Sequence, residues 1–149
     1  MKLPRRLAGR KGVVLDTMVF IYLFEDSPQF GSVSEFIIEQ GQLGKFESII
    51  TPITAAELMV KPLQNKRYDL ADRYRLALRS MRNVVPVAFS FETGLLAGSL
   101  RAKYGLPLPD MIQVACAMQS KAPTLITNDK AMEQIEEAEV FLLSAFLQE

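Results

Sequence analysis

A chain of 149 residues is long enough for one domain with a real core, and 49% apolar residues exclude a disordered protein. Its 17 basic and 17 acidic residues cancel, so nucleic-acid binding would need a local patch. The absence of histidine excludes Ser-His-Asp and Cys-His nucleophile systems, and the single Cys116 excludes an intrachain disulfide and a thiolate zinc site. Hydrolytic chemistry is therefore left to carboxylates, lysine, hydroxyls or an oxygen-bound metal.

The first twelve residues form a basic lead-in without the apolar run of a signal peptide. Its charged side chains are expected on a solvated arm: Arg5, Arg6, Arg10 and Lys11. No stretch reaches the roughly 18 to 20 apolar residues that span a bilayer, so no membrane partner is expected. A single cysteine fits a reducing compartment. We expect one cytoplasmic domain over residues 1–149.

The first part of the chain alternates between predicted strands and helices. The expected strands are 13–16 and 46–51, and the expected helices are 18–24, 32–41, 54–61 and 67–82. Ser32 and Glu35 have capping-box spacing, and Gly41 is expected to end that helix. Pro62 is expected to stop the next helix, which Thr54 opens.

The same alternation continues to the end of the chain. The expected strands are 84–87, 124–127 and 139–142, and the expected helices are 91–104, 110–120, 129–137 and a final turn in 143–149. Residues 106–109 contain two prolines and predict a stiff extended connection. Because the strands are short and apolar without alternation, they predict a parallel sheet covered on both faces. The expected fold is α/β, a three-layer α/β/α sandwich with a central parallel sheet of four or five strands.

Four acids follow strands or begin helices: Asp16, Glu57, Asp110 and Asp129. Each alone has a plain explanation, since Asp caps helices and first-turn acids favour the helix dipole. Thr54 and Glu57 also match the S/T-x-x-E capping box. In a parallel sheet, however, the carboxyl ends of all strands share one edge, so the four acids would converge. Such crowding is tolerable around a cation, and hard oxygen ligands without histidine or cysteine point to Mg²⁺ or Mn²⁺.

Four segments around these acids, taken in order and spacing, resemble the PIN domain, the fold of VapC-type toxin ribonucleases. The segments are Val13 to Ile21, Ile53 to Leu58, Tyr104 to Ala115 and Leu125 to Asp129. The resemblance covers about Val13 to Leu142. It implies endonucleolytic cleavage of single-stranded RNA by a metal-activated water, leaving 5′-phosphate and 3′-hydroxyl ends. It also implies a small antitoxin partner and a homodimer.

The resemblance assigns roles to individual residues. Asp16 and Asp110 match the firmest ligands of Mg²⁺ or Mn²⁺, and Asp129 matches a ligand that binds directly or through water. Glu57 matches the acid that orients or deprotonates the attacking water. Three neighbours match supporting positions: Thr17, Thr127 and Asn128.

Basic residues suggest where RNA would bind. The arginines of 67–82, with Lys61 and Lys66, predict either an electrostatic track or an ordinary solvated helix face. Arg101 and Lys103 precede the third acidic segment and could reach a substrate phosphate.

Two other functions remain open at this point. The same fold could serve as a catalytically inactive RNA-binding or assembly module, with the acids acting only as helix caps. A phosphatase forming an aspartyl-phosphate on Asp16 is less favoured, because that chemistry usually needs a second acid two positions later, where this chain has Met18. Metal titration separates a metalloenzyme from the inactive module, because a real site gains stability from the ion.

Overall fold

Five parallel strands form the central sheet of the computed structural model, which describes residues 1–147. The strands are β1 (Val13–Leu15), β2 (Ser48–Ile50), β3 (Val84–Pro86), β4 (Thr124–Thr127) and β5 (Glu139–Leu142). They lie in the order β3-β2-β1-β4-β5. Val14 of the central strand β1 pairs with Ile49 on one side and Leu125 on the other. The carboxyl ends of all five strands therefore meet along one edge.

Helices cover both faces of this sheet. Within residues 1–147 the α-helices are α1 (Thr17–Phe24), α2 (Gly31–Gln42), α3 (Pro52–Gln64), α4 (Tyr68–Ser80), α5 (Phe91–Tyr104) and α6 (Leu108–Ala117). Successive residues of a strand point to opposite faces. Val13 and Leu15 thus join the core beneath α1 and α2, whereas Val14 joins the core beneath α5 and α6. The predicted three-layer α/β/α sandwich is confirmed. No helix in this described part is long and apolar enough to cross a bilayer.

The second half of the chain follows the prediction closely. Helix α5 has the predicted bounds, and Gly105 ends it with a left-handed φ of 69°. Strands β4 and β5 also match. The short helix expected at 129–137 is a 3₁₀ helix over Lys130–Gln134, and the final turn is a 3₁₀ helix over Leu143–Phe146. Residues 148 and 149 of the predicted tail lie outside the described residues.

The first three strands are shorter than predicted, and at β1 and β2 the residue lost from the carboxyl end precedes the following helix. Asp16 and Thr51 are the residues that precede the first turns of α1 and α3. Helix α1 correspondingly begins at Thr17, one residue earlier than expected.

The capping box predicted at Ser32 and Glu35 is wrong. Helix α2 begins at Gly31, and the turn before it is held by the Ser27 hydroxyl, which accepts the Phe30 amide at 3.2 Å. Gly41 does not end the helix either, because α2 continues to Gln42. A Cβ at Gly41 would come within 3.0 Å of the Ser48 hydroxyl, so this glycine permits close packing of the helix on β2.

Helix α3 begins earlier and ends later than predicted. Pro52 is its first residue, a position where the missing N–H costs no helical hydrogen bond. Pro62 lies inside the last turns and does not stop the helix, which ends at Gln64. The capping box predicted for Thr54 and Glu57 is therefore wrong, since both lie within the helix. Glu57 is on its second turn, which leaves its carboxylate available for another role.

Helix α6 also begins earlier than predicted. Its first residue is Leu108, so only 106–107 remain of the extended connection, and Asp110 is the third helical residue. The helix ends at Ala117, three residues before its predicted end. A proline within the first turn again loses no helical bond, which explains why Pro109 is accepted there.

The lead-in packs on the domain and is not a free arm, although Arg5, Arg6 and Lys11 are exposed as predicted. Leu7 is fully buried, and the Lys2 amide donates to the Phe146 carbonyl at 2.8 Å. The Arg10 guanidinium donates to the Thr124 hydroxyl at 2.8 Å and pairs with Glu139. Together these contacts tie the first residues to β4, β5 and the end of the chain.

Candidate functional site

Asp16 anchors the site at the carboxyl end of β1. It lies between β1 and α1, is only 8% exposed, and its amide donates to the Ile126 carbonyl of β4 at 2.9 Å. Its Oδ1 accepts the Thr17 amide at 2.8 Å, which confirms the predicted helix cap. Its Oδ2 accepts the Thr127 hydroxyl at 2.7 Å. Capping uses one side of the carboxylate and does not exclude a second role.

The Thr127 hydroxyl links Asp16 to Asp129. Besides donating to Asp16, it accepts the Asp129 amide at 3.1 Å. Asp129 precedes the 3₁₀ helix, and its Oδ1 accepts the Ala131 amide at 3.0 Å. Thr127 thus sets the spacing of two acids whose segments are far apart in sequence.

Glu57 reaches the site from the second turn of α3. Its Oε1 accepts the Thr17 hydroxyl at 2.8 Å. Because Asp16 accepts the amide of the same threonine, Thr17 touches two of the four acids. Both threonines predicted to lie beside the acids are therefore in direct contact with them.

Asp110 is brought to the other three acids by the first turn of α6. Partial burial, with the negative charges of Asp16, Asp129 and Glu57, raises the pKa of this carboxyl to about 6. Like charges raise a pKa only at short range or where solvent screening is weak. The four predicted acids are thus brought together at one edge of the sheet, as the parallel-strand argument requires.

Two other predicted residues have structural partners. The Asn128 amide donates to the Tyr22 hydroxyl at 3.2 Å, which connects the segment after β4 to α1 rather than to a carboxylate. One guanidinium nitrogen of Arg101 donates to the carbonyls of Gly105 and Leu106, at 2.6 and 2.8 Å, and so caps the end of α5.

Sequence reasoning missed a buried amide behind the acids. Gln113 of α6 is 1% exposed; its amide donates to the Thr54 hydroxyl at 3.0 Å, and its carbonyl oxygen accepts the Thr51 hydroxyl. A glutamine within an Ala- and Met-rich helix, one turn after Asp110, was the available signal. Thr54 in turn lies 3.0 Å from the Thr17 hydroxyl, so this group touches the site.

The donor set fits a hard divalent cation. Asp16, Asp110 and Asp129 offer carboxylate oxygens, and the described residues include no histidine and one cysteine, which is buried elsewhere in α6. The raised pKa of Asp110 means that its negative charge is poorly compensated by the protein. Across residues 1–147 no three acidic or cysteine side chains lie close enough together to hold a metal ion as they stand. The acids share one edge of the sheet, and an ion would have to draw their carboxylates closer.

A cavity of about 640 Å³ adjoins the site between α1, α3 and α4. Its walls include Phe24, Leu58 and Tyr74, and Glu57 lies at its border. The Phe24 and Tyr74 rings stack with centroids 4.6 Å apart. Helix α4 follows its predicted amphipathic pattern; it buries Ala71 fully, and Leu70, Tyr74 and Leu78 are partly buried. The sequence did not predict this cavity.

Comparisons with known proteins agree with the site. The PIN domain family model matches residues 13–138, a range that contains all four acids. No curated protein matches the chain. A solved toxin–antitoxin complex from Klebsiella pneumoniae is similar at 27% identity and a TM-score of 0.69, over 89% of this chain and 98% of that chain.

Two further solved structures share the fold. VapBC2 from Rickettsia felis, bound to a promoter DNA fragment, has 18% identity and a TM-score of 0.71, over 87% of this chain and 97% of that chain. VapBC from Salmonella typhimurium, also bound to DNA, has 17% identity and a TM-score of 0.59, over 89% of this chain and 98% of that chain. The family match, the topology and the converging acids agree, and the chain belongs to the PIN domain family.

Proposed function

We propose that this chain is a Mg²⁺- or Mn²⁺-dependent endoribonuclease that hydrolyses single-stranded RNA as the toxin of a toxin–antitoxin pair. The observation that carries the proposal is that acids from separate chain segments meet at one edge of the sheet, where Thr17 contacts Asp16 and Glu57 and Thr127 contacts Asp16 and Asp129. Membership of the PIN family supports nuclease activity. Similarity to a toxin–antitoxin complex at 27% identity supports the toxin role.

Each acid has a distinct part in the proposed hydrolysis. Asp16, Asp110 and Asp129 would hold the ion, which when bound lowers the pKa of a water and offsets phosphate charge. Glu57 would orient the attacking water and take its proton. Thr17 keeps the Glu57 carboxylate in place through its hydroxyl. Attack at phosphorus with loss of the 3′-oxygen accounts for 5′-phosphate and 3′-hydroxyl ends.

We propose that unpaired arginines near the end of α4 contact the RNA backbone. Several basic residues of the expected electrostatic track already form ion pairs with acidic residues: Lys61 with Glu25, Arg67 and Arg73 with Asp69, and Arg75 with Asp72. Arg79 and Arg82 form no ion pair among residues 1–147, so their charge is available for phosphates. Lys103 pairs with Glu137 and is a weaker candidate.

The cavity between α1, α3 and α4 is the proposed antitoxin site. Its apolar walls and its position beside Glu57 would let a partner's apolar side chains cover the approach to the acids. Lys61 and Leu70 line this cavity. Lys61→Ala, which removes a charge, and Leu70→Trp, which fills space, should each change the affinity for the antitoxin without displacing the four acids.

Helix α5 is the proposed homodimer surface. Phe91 and Leu95 are 80% and 55% exposed on its outer face. If two copies of α5 pack antiparallel, Leu95 of one faces Gly98 of the other, where space for a side chain is open.

The proposal is tested by RNA cleavage in Mg²⁺ or Mn²⁺. Asp129→Asn should lose at least about 100-fold in rate, the scale on which groups that stabilise or position the reacting atoms act. The control is Glu133→Gln, an exposed acid in the 3₁₀ helix after Asp129, which should keep full activity. Equal activity of wild type and Asp129→Asn would reject the assigned site.

Metal-dependent stability separates the enzyme from an inactive RNA-binding or assembly module. A site that binds the ion must raise the melting temperature with Mn²⁺ concentration by mass action. Asp16→Asn should abolish that rise. A wild-type chain that binds RNA but shows no rise with Mn²⁺ would favour the inactive module.

A further inference from the structure

A chain of hydrogen bonds connects Gln113 to Glu57 through two threonine hydroxyls. Gln113 donates to Thr54 at 3.0 Å, Thr54 lies 3.0 Å from Thr17, and Thr17 donates to Glu57 at 2.8 Å. Gln113 and Thr54 are 1% and 0% exposed, so water does not compete with these bonds. The connected residues come from α6, α3 and α1, and they end on the proposed general base.

The direction of every proton in this chain follows from counting donors. An ionised carboxylate only accepts, so the single proton of the Thr17 hydroxyl goes to Glu57. The bond between the two hydroxyls then needs the proton of Thr54. On its other side the Thr54 hydroxyl oxygen must therefore accept a hydrogen bond, and the Gln113 side-chain N–H donates it.

The opposite orientation of the Gln113 amide would break the chain. Its oxygen would then take the Thr54 proton, and the contact between Thr54 and Thr17 would have no proton left. In the observed orientation the oxygen accepts from the Thr51 hydroxyl, and the amide nitrogen faces Thr54. Aligned donors polarise one another, so each bond strengthens the next.

We propose that Gln113 is a positioning residue that orients Glu57 for catalysis by fixing the proton direction of Thr54 and Thr17. This inference rests on the hydrolysis proposed above. Gln113 lies one turn after Asp110 on α6. The helix that carries the proposed metal ligand Asp110 therefore also carries the residue that orients Glu57, the proposed general base. Without the Gln113 donor, Thr17 is free to turn its proton towards Thr54, and Glu57 loses its only hydroxyl partner among residues 1–147.

The test removes the amide without emptying its space. Gln113→Met has a similar volume and no comparable donor, and Thr54→Val removes the next hydroxyl at nearly constant shape. The matched control is Gln119→Met, because Gln119 also donates to a threonine hydroxyl, Thr93, but beyond the far end of α6. Crystal structures without metal report whether Glu57 stays within hydrogen-bond distance of Thr17.

The expected result is a displaced Glu57 carboxylate in Gln113→Met and Thr54→Val, and an unchanged one in Gln119→Met. In the cleavage assay, Gln113→Met should lower kcat about tenfold, a fraction of the roughly 10²–10⁴ that a general base supplies, with KM within about twofold. In a Glu57→Gln background it should lower kcat no further, because the two residues act through one step. Mn²⁺ should stabilise the variant as it does wild type.

The outcomes separate this inference from the proposed function. If wild type cleaves no RNA with either metal, the hydrolysis fails, and the position of Glu57 in the crystals still decides the role of Gln113. If Glu57 stays in place in Gln113→Met, the inference is overturned. Equal kcat losses from Gln113→Met with and without Glu57 would also overturn it.

Discussion

Replacing Asp110 by asparagine should stabilise the metal-free protein. The fold raises the pKa of this carboxyl from 3.8 to about 6, because the group is partly buried and lies near three other acids. A shift of roughly two units corresponds to about 3 kcal/mol against the ionised form at 1.36 kcal/mol per unit. Screening at this half-open site reduces the effect, and we expect about 1.5 kcal/mol. For a domain of this size, that is about 3–6 °C in Tm.

The gain should depend on pH with a definite sign. Since the folded-state pKa is raised, this group's contribution to stability is complete below pH 3.8 and is lost as pH rises through about 6. As pH rises from 3.8 to about 6, the stability of wild type should therefore decrease relative to that of Asp110→Asn. The difference in Tm should be small at pH 4.5 and near its maximum at pH 7.5.

Thermal melts in EDTA, followed by circular dichroism, measure this difference. The matched control is Glu92→Gln, which also removes a first-turn acid but at the exposed start of α5. It should lose a few tenths of a kcal/mol of helix-dipole stabilisation. If Asp110→Asn melts at or below wild type in EDTA at pH 7.5, the charge-crowding argument is wrong.

Three further predictions concern other parts of the chain. Burial raises the pKa of the Cys116 thiol to about 11, so a thiol reagent at pH 8 should label it only as fast as the protein unfolds. Phe91→Asp should convert a dimer to a monomer in light scattering with an unchanged circular dichroism spectrum; a dimer that persists would exclude the α5 surface. Thr127→Val removes the hydroxyl held by Asp16, and about tenfold more Mn²⁺ should be needed for the same rise in Tm; an unchanged titration would contradict this role.

Most secondary structure was predictable because it depends on local signals. Apolar β1, β4 and β5 were assigned from short runs without polar breaks, and Gly105 marked the end of α5. The helix starts at Pro52 and Leu108 were missed, because a proline in the first turn was interpreted as a break rather than as an N-terminal residue. The error changed the position of Glu57 from a cap to the second turn.

The acids were predictable as a set because a parallel sheet brings its strand ends together whatever the side chains do. Their partners were not. The contact of Gln113 with Thr54 joins residues 59 positions apart, and that of Thr127 with Asp16 joins residues 111 apart. No periodicity within either segment carries information about such a pair.

The sequence by itself determined the order of strands and helices, the exclusion of histidine chemistry and the four acids at strand ends. The tertiary structure alone decided that Asp16 is held by Thr17 and Thr127, that the lead-in packs against β4 and β5, and that a cavity adjoins Glu57. The physical reason is the distance along the chain over which each kind of interaction acts. Helix and strand signals act over a few neighbouring residues, whereas hydrogen bonds, burial and charge act between any atoms that the fold brings close.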